Sequence, residues 1–353
     1  MTIIYFILLL SVIVVVHEFG YFIVAKLFNV YCYEFSIGMG PKLWSKKGKE
    51  TTYVIRALPV GGYVAMAGEN DGMAELYENV EVPKHRCLDG INALKKICIM
   101  SAGIVMNFLL AWIIISIFFM VQGVYPTKVE PYIGAVKENS PAYDAGFEVN
   151  DKIIKVEYPD GTVIKPKTFS DLSNVIIESE VEVTYTILRD GKNMEIKVTP
   201  VYDEQYQSYM IGISSLPIQY KDVNILNAPI YGADYLFDMA KTMFISIGRL
   251  FRGIGLNQVS GPVGIYTATD TYVSLGFEYY LFLIALISLN VGIFNALPLP
   301  VLDGGRIFIT IVEVIIHKKL NKKVEAGLMA ACWALLICLM LYATVNDITR
   351  IIS

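Results

Sequence analysis

Long apolar runs separated by shorter polar stretches dominate the chain. Four runs are long enough to cross a bilayer, which takes about 20 residues: Ile3 to about Phe28, Ile97 to about Val121, Tyr280 to about Leu299, and Ala326 to Val345. Four crossings put both termini on one side. Between the second and third runs the pattern becomes short alternating stretches with turn residues. Strands are expected near 133–136, 152–154, 181–188 and 194–200, with a helical turn after Ser140-Pro141 and a tight turn at Asp190-Gly191. Thr51 to Gly68, TTYVIRALPVGGYVAMAG, reads as an apolar hairpin turning at Pro59 and Gly61-Gly62. It is too apolar for a water-facing loop, so a hairpin that dips into the membrane is expected, with an edge that could pair with an extended peptide. Tyr231 to Gly253 is also apolar but carries Asp234, Asp238, Lys241, Arg249 and Arg252, which suits an amphipathic helix on the membrane surface better than a span.

Composition agrees with a polytopic membrane protein. The 353 residues are 55% hydrophobic and 18% charged, with a mean hydropathy of +0.51, beyond an ordinary soluble domain. No Lys or Arg precedes the first run and no small-residue cleavage site follows it, so that run is expected to be retained as a helix. Lysines set the orientation. Lys42, Lys46, Lys47, Lys49, Lys84, Lys95 and Lys96 follow the first run, and Lys318, Lys319, Lys322 and Lys323 precede the last. Both loops are expected in the cytosol, with both termini and the region from Gln122 to Leu256 outside it. The stretch from Val121 to Ala240 holds 18 Asp/Glu against 10 Lys/Arg, so it offers no basic surface for nucleic acid. The five cysteines form neither a disulfide framework nor a CxxC zinc pair.

Candidate chemistry sits where polar groups are costly. His17-Glu18 lie deep in the first run, about 12 Å from its cytosolic end at a 1.5 Å rise per residue, and buried ionisable groups within a membrane span mark function. The pattern from His17 is one residue short of H-E-x-x-H, the helix motif with two zinc histidines and a glutamate base; position i+4 is Tyr21. Near the third run stands Asn295-Ala-Leu-Pro-Leu-Pro-Val-Leu-Asp303-Gly-Gly. Its prolines prevent a regular helix and its glycines permit a close turn, so Asp303 can aim back into the bundle. His17 and Asp303 would then offer one metal a nitrogen and an oxygen.

Two resemblances follow from these motifs. Ile133-Gly-Ala-Val, Asn139-Ser-Pro-Ala, Ala145-Gly-Phe and Asn150-Asp-Lys-Ile-Ile resemble the PDZ domains of membrane and secreted proteases; Asn150 stands for the usual glycine, which suits its tolerance of left-handed backbone. Taken in order, His17-Glu18, the Val54-to-Gly68 hairpin, Ser101-Ala-Gly103 with Asn107, the PDZ segment, Ser260-Gly-Pro-Val-Gly-Ile265 and Asn295 to Gly304 resemble the bacterial site-2 proteases, intramembrane zinc metalloproteases of regulated intramembrane proteolysis. The resemblance implies four transmembrane helices, a membrane-associated hairpin and one extracytoplasmic PDZ domain, arranged as 1–121, 122–205, a linker with the surface helix over 206–275, and 276–353. It implies zinc as cofactor, held by His17, by position 21 and by Asp303. Glu18 would be the general base, and Asn295 and the Gly61-Gly62 hairpin would hold substrate. It implies a multi-pass protein of the bacterial plasma membrane that cleaves single-span membrane proteins, of anti-sigma-factor or signal-peptide-remnant type, after an upstream protease has shortened them outside. Tyr21 departs from the family's second zinc histidine, which bears on metal affinity and turnover. A second reading is therefore a non-cleaving homologue or inactivated form that binds membrane peptides. A transporter or scaffold would leave His17, Glu18 and Asp303 without work.

Overall fold

A computed structural model describes residues 1–69, 80–159, 161–173, 181–203, 208–250 and 259–352. The chain forms two compact units, Met1–Val121 with Ile225–Ser353, and Gln122–Asn224.

The first unit begins with α1 (Thr2–Leu27), whose 26 residues are almost wholly apolar. Two strands follow, β1 (Cys32–Lys47) and β2 (Thr52–Met66), and then α2 (Ala93–Gln122). Among the described residues four helices are long and apolar enough to span a membrane: α1, α2, and two later helices given below. α1 and α2 cross closely because Gly20 faces Ala102. A Cβ on Gly20 would lie 2.5 Å from the Ala102 carbonyl oxygen, so only glycine lets the backbones approach this far.

The strands correct one expectation. The chain does reverse at Pro59 and Gly61-Gly62, but the two arms of the expected hairpin do not pair with each other: 52–55 run parallel to residues 34–37 and 62–65 antiparallel to them. The closing turn is Gly48–Thr51, where Gly48 N–H donates to the Thr51 carbonyl (2.9 Å). Residues 34–37 of β1, read from sequence as loop, run between two parts of β2, with 62–65 on one side and 52–55 on the other. A buried carboxylate pins this layer: Glu34, fully buried, accepts from Arg56 Nη2 (2.6 Å), Tyr63 Oη (2.7 Å) and Lys42 Nζ (3.1 Å).

The second unit contains β3 (Val124–Pro126), β4 (Ile133–Val136), α3 (Pro141–Asp144), β5 (Lys152–Glu157), β6 (Val163–Ile164), α4 (Phe169–Ser173), β7 (Val183–Arg189), β8 (Lys192–Val198), β9 (Val201–Asp203), β10 (Ser208–Met210), β11 (Ile213–Ser215) and β12 (Tyr220–Asp222). β6, β5, β7 and β8 form one sheet in that order; β4 pairs with β11, β3 with β12, and β9 with β10. Ile133, Ile153, Val156, Tyr185 and Ile187 fill its core. Local chemistry explains its turns: the Ser140 side chain accepts from Tyr143 N–H to start α3 behind Pro141, and Asn150 and Asp190 take positive φ, 73° and 48°. Residues 208–222 belong to this unit because β11 and β12 pair back onto β4 and β3, although the sequence groups them with the linker.

Back in the first unit, α5 (Ala228–Leu250) forms where the amphipathic helix is expected, and Trp112 Nε1 of α2 donates to its Pro229 carbonyl (2.9 Å); Arg252 and Gly253 lie outside the described residues. α6 (Pro262–Leu275), α7 (Phe277–Asn295), α8 (Asp303–Ile316) and α9 (Lys322–Ile352) complete the chain. α7 stops at Asn295, four residues short of the apolar run, because Pro298 and Pro300 lack the N–H a helix needs. α6 and α8 carry no signal in the sequence reading. Asp347 of α9, buried, accepts from Gly261 N (2.8 Å) and Gly264 N (2.7 Å), satisfying the exposed amides at the start of α6.

Candidate metal centre

The 3.6-residue period of α1 puts Val14, His17, Glu18 and Tyr21 on one stripe. That stripe lines a cleft of 410 Å³, shared with Tyr63, Val64, Met66 and Glu69 of β2 and its end, Val291 and Asn295 of α7, and Val301, Leu302, Asp303 and Arg306 leading into α8. The turn after α7 carries the chain back so that Asp303 becomes the first residue of α8, where a helix N-terminus favours a carboxylate. Gly304 and Gly305 permit this turn, since a Cβ on either would strike the carbonyls of Ala296 or Leu299.

Three oxygen and nitrogen donors converge. His17 Nε2 lies 2.8 Å from Tyr21 Oη and 3.1 Å from Asp303 Oδ2. Asp303 Oδ2 is nonetheless buried with no hydrogen-bond partner among the described residues. The approach to His17 is thus a close contact without a hydrogen bond, and a cation between the two would relieve it. Bonds of about 2.0–2.1 Å to a tetrahedral zinc place neighbouring ligands about 3.3 Å apart, so the spacing fits such an ion. The chemistry is less conventional: among the described residues no three His, Cys, Asp or Glu side chains gather at metal-binding spacing, and a phenol completes the set here.

Glu18 points along the same stripe, and Val64 N–H of β2 donates to its Oε2 (3.2 Å). This bond fixes the carboxylate beside the donor cluster and marks the side of β2 away from β1. Asn295 lines the cleft at the end of α7. Gly61 and Gly62 lie outside it, packed on α1 near Val14 and Val15, with Gly61 at φ 73°. His85 is exposed in a single helical turn and His317 ends α8, both apart from the cleft.

The sequence reading missed Arg306 and gave Asn107 no role beyond membership of the family motif. Arg306, one turn after Asp303, lines the cleft and binds Glu69 Oε1 (3.0 Å), tying the end of β2 to α8. Asn107 of α2, fully buried, places Nδ2 3.2 Å from His17 Nδ1. A half-buried arginine after Asp303 could have been suspected from its charge; Asn107 was visible only as a motif member.

Fold and site together define a polytopic membrane protein with a histidine, a glutamate and an aspartate gathered at one buried cleft. The chain belongs to peptidase family M50, whose model matches residues 5–339. It is 30% identical to the regulator of sigma-W protease RasP of Bacillus subtilis over 426 aligned positions, covering 99% of each chain. It is 29% identical to the zinc metalloprotease RasP of Shouchella clausii, covering all of both.

Proposed function

We propose that this chain is an intramembrane zinc metallopeptidase that hydrolyses peptide bonds within membrane-spanning segments of other proteins, with turnover lowered by Tyr21. The observation that carries the reading is the approach of Tyr21 Oη and Asp303 Oδ2 to within 3.1 Å of His17 Nε2, with Glu18 beside them. These three side chains would hold the ion. Zinc bound there supplies Lewis acidity toward a peptide carbonyl and makes a water easier to deprotonate.

This chain's own groups do the rest. Glu18, held by Val64 N–H, takes a proton from the attacking water and delivers it to the leaving amine. A helical substrate hides its carbonyls in internal hydrogen bonds, so it must unwind, and the edge of β2 beside Glu18 offers backbone groups that would hold it extended. Asn295 lies where it could bind the substrate backbone. The exposed apolar side chains of β1 and β2, Leu43, Trp44 and Leu58, support a hairpin that meets lipid. Residues 122–224 are read as an extracytoplasmic PDZ-type module that screens what approaches, and the lysine pattern supports a plasma-membrane protein with both termini outside. Single-span membrane proteins already shortened outside by another protease, such as anti-sigma factors or signal-peptide remnants, fit a cleft of this size and depth.

The bond between Tyr21 and His17 favours one second reading, a binder that holds membrane peptides without cutting them. Incubating the purified protein with a tagged single-span peptide in bilayers separates the two. Cleavage that disappears in Glu18→Gln supports the peptidase; no cleavage by the parent chain or by Tyr21→His leaves the binder.

A further inference from the structure

We infer that Asn107 selects the ring tautomer of His17 and so decides whether Nε2 offers a lone pair to a divalent cation. The inference rests on the reading of His17 as a metal ligand and adds the group that prepares it.

The imidazole is fixed in place before its proton is. Gly103, one turn before Asn107, leaves the space the ring fills: a Cβ there would lie 2.6 Å from both Cε1 and Nε2 of His17. The ring is therefore held flat against α2 with Nδ1 facing Asn107. Asn107 is anchored in turn, because its backbone carbonyl accepts from Ser288 Oγ of α7 (2.9 Å). The three helices leave the amide one freedom, a half-turn of its end.

That freedom matters because an amide carries a donor and an acceptor of nearly equal shape. In the orientation observed, Nδ2 donates to Nδ1 (3.2 Å) while Oδ1 is buried with no partner among the described residues. Nδ1 must then be the bare nitrogen. The ring proton sits on Nε2, pointed at Tyr21 Oη (2.8 Å), and Nε2 has no lone pair for a metal. With the amide turned over, Oδ1 accepts from Nδ1–H and Nε2 turns its lone pair toward Asp303 Oδ2 and Tyr21. A metal-binding histidine commonly has its second nitrogen held in this way, and loss of the holding group costs about 10–100-fold in metal affinity. The unpartnered Oδ1 is the group available for that role, on a side chain that touches neither substrate nor ion. Asn107 is thus a positioning residue.

The full-length protein labelled with ¹⁵N-histidine contains three imidazoles, and His17→Gln identifies the His17 signals. Spectra are recorded at one pH near 8, where an ordinary imidazole is neutral, without metal and with zinc. The parent chain should show the Nε2–H form without metal and the Nδ1–H form with zinc. Asn107→Asp, which can only accept, should show Nδ1–H even without metal. Asn107→Leu should lose the preference and bind zinc about 10–100-fold more weakly at an unchanged melting temperature. The same tautomer in all three proteins would overturn the inference, as would equal zinc affinity in Asn107→Leu. If that variant fails to accumulate, the tautomer of Asn107→Asp decides alone. Zinc failing to bind any of them would reject the His17, Tyr21 and Asp303 donor set, while the metal-free spectra would still judge Asn107.

Discussion

At Tyr21 a phenol oxygen stands 2.8 Å from His17 Nε2 and reaches the space between His17 and Asp303. A phenol binds a metal well only after losing its proton, and its ordinary pKa of about 10 makes it a poor donor at neutral pH beside imidazole. Tyr21→His should therefore tighten zinc binding by at least tenfold and raise peptide cleavage with it, as read by metal titration and product formation; unchanged affinity would mean the residue at 21 lies outside the coordination sphere. Glu18→Gln should lower cleavage by about 10²–10⁴-fold, the usual worth of a positioned base, while leaving bound zinc unchanged. His17, Glu18 and Asp303 were legible in the sequence because charged groups inside apolar runs are expensive and hence conspicuous. Arg306 was not, and Asn107 was visible only as a member of the family motif, because their work depends on which helix faces them, and spacing along one chain does not show that.

Among the elements, the β1–β2 layer shows most clearly where sequence patterning stops. Pro59 and Gly61-Gly62 do reverse the chain, yet the two arms stay unpaired with each other because 34–37 of β1 lie between them and bond on both edges. A strand flanked on both sides reads in sequence as an ordinary loop with mixed polarity. Its stability depends on Glu34, whose burial is tolerable only while Arg56, Lys42 and Tyr63 surround it. Arg56→Met leaves Glu34 with Lys42 and Tyr63 and should destabilise the layer by about 1.5–3 kcal/mol, the worth of a hydrogen bond to a charged group, seen as earlier proteolysis of β1 and β2. Joining it with Glu34→Gln should recover much of the loss.

The turn between the strands has a milder, pH-dependent tie. Glu50 is hydrogen-bonded to Lys26 Nζ (3.0 Å) and to Arg86 Nη2 (2.8 Å), and these bonds, that with Lys26 first, hold its carboxyl below the usual carboxylate range. A lowered pKa contributes stability above the ordinary value of about 4.3 and loses it as pH falls through the lower folded value. The side chain is partly exposed, so solvent screens the effect. Lowering pH from 7 to 3 should reduce the melting temperature of the parent chain slightly more than that of Glu50→Gln, and added salt should narrow the difference.

For the whole molecule, the apolar runs predict the four long helices well, since length and composition alone decide whether a segment can cross lipid. What they do not predict is how the helices meet. α6 and α8 are short and carry no such signal, yet α8 presents Asp303 and α6 is where α9 attaches through Asp347. Asp347→Ala leaves the amides of Gly261 and Gly264 without their charged acceptor, a loss of about 1.5–3 kcal/mol per charged hydrogen bond, and should lower resistance to denaturing detergent without altering bound zinc. The lysine pattern makes a further prediction: alkaline phosphatase fused after Ser353 should be active in bacterial cells, and a fluorescent protein fused there should stay dark.

The most direct test is X-ray absorption of the purified chain at the zinc edge, with metal content measured beside it. One zinc per chain, bound only by nitrogen and oxygen and lost in both His17→Ala and Asp303→Asn, is the expected result. A sulfur ligand, zinc retained in those variants, or no zinc in either the parent chain or Tyr21→His would contradict a metal centre built from His17, Tyr21 and Asp303.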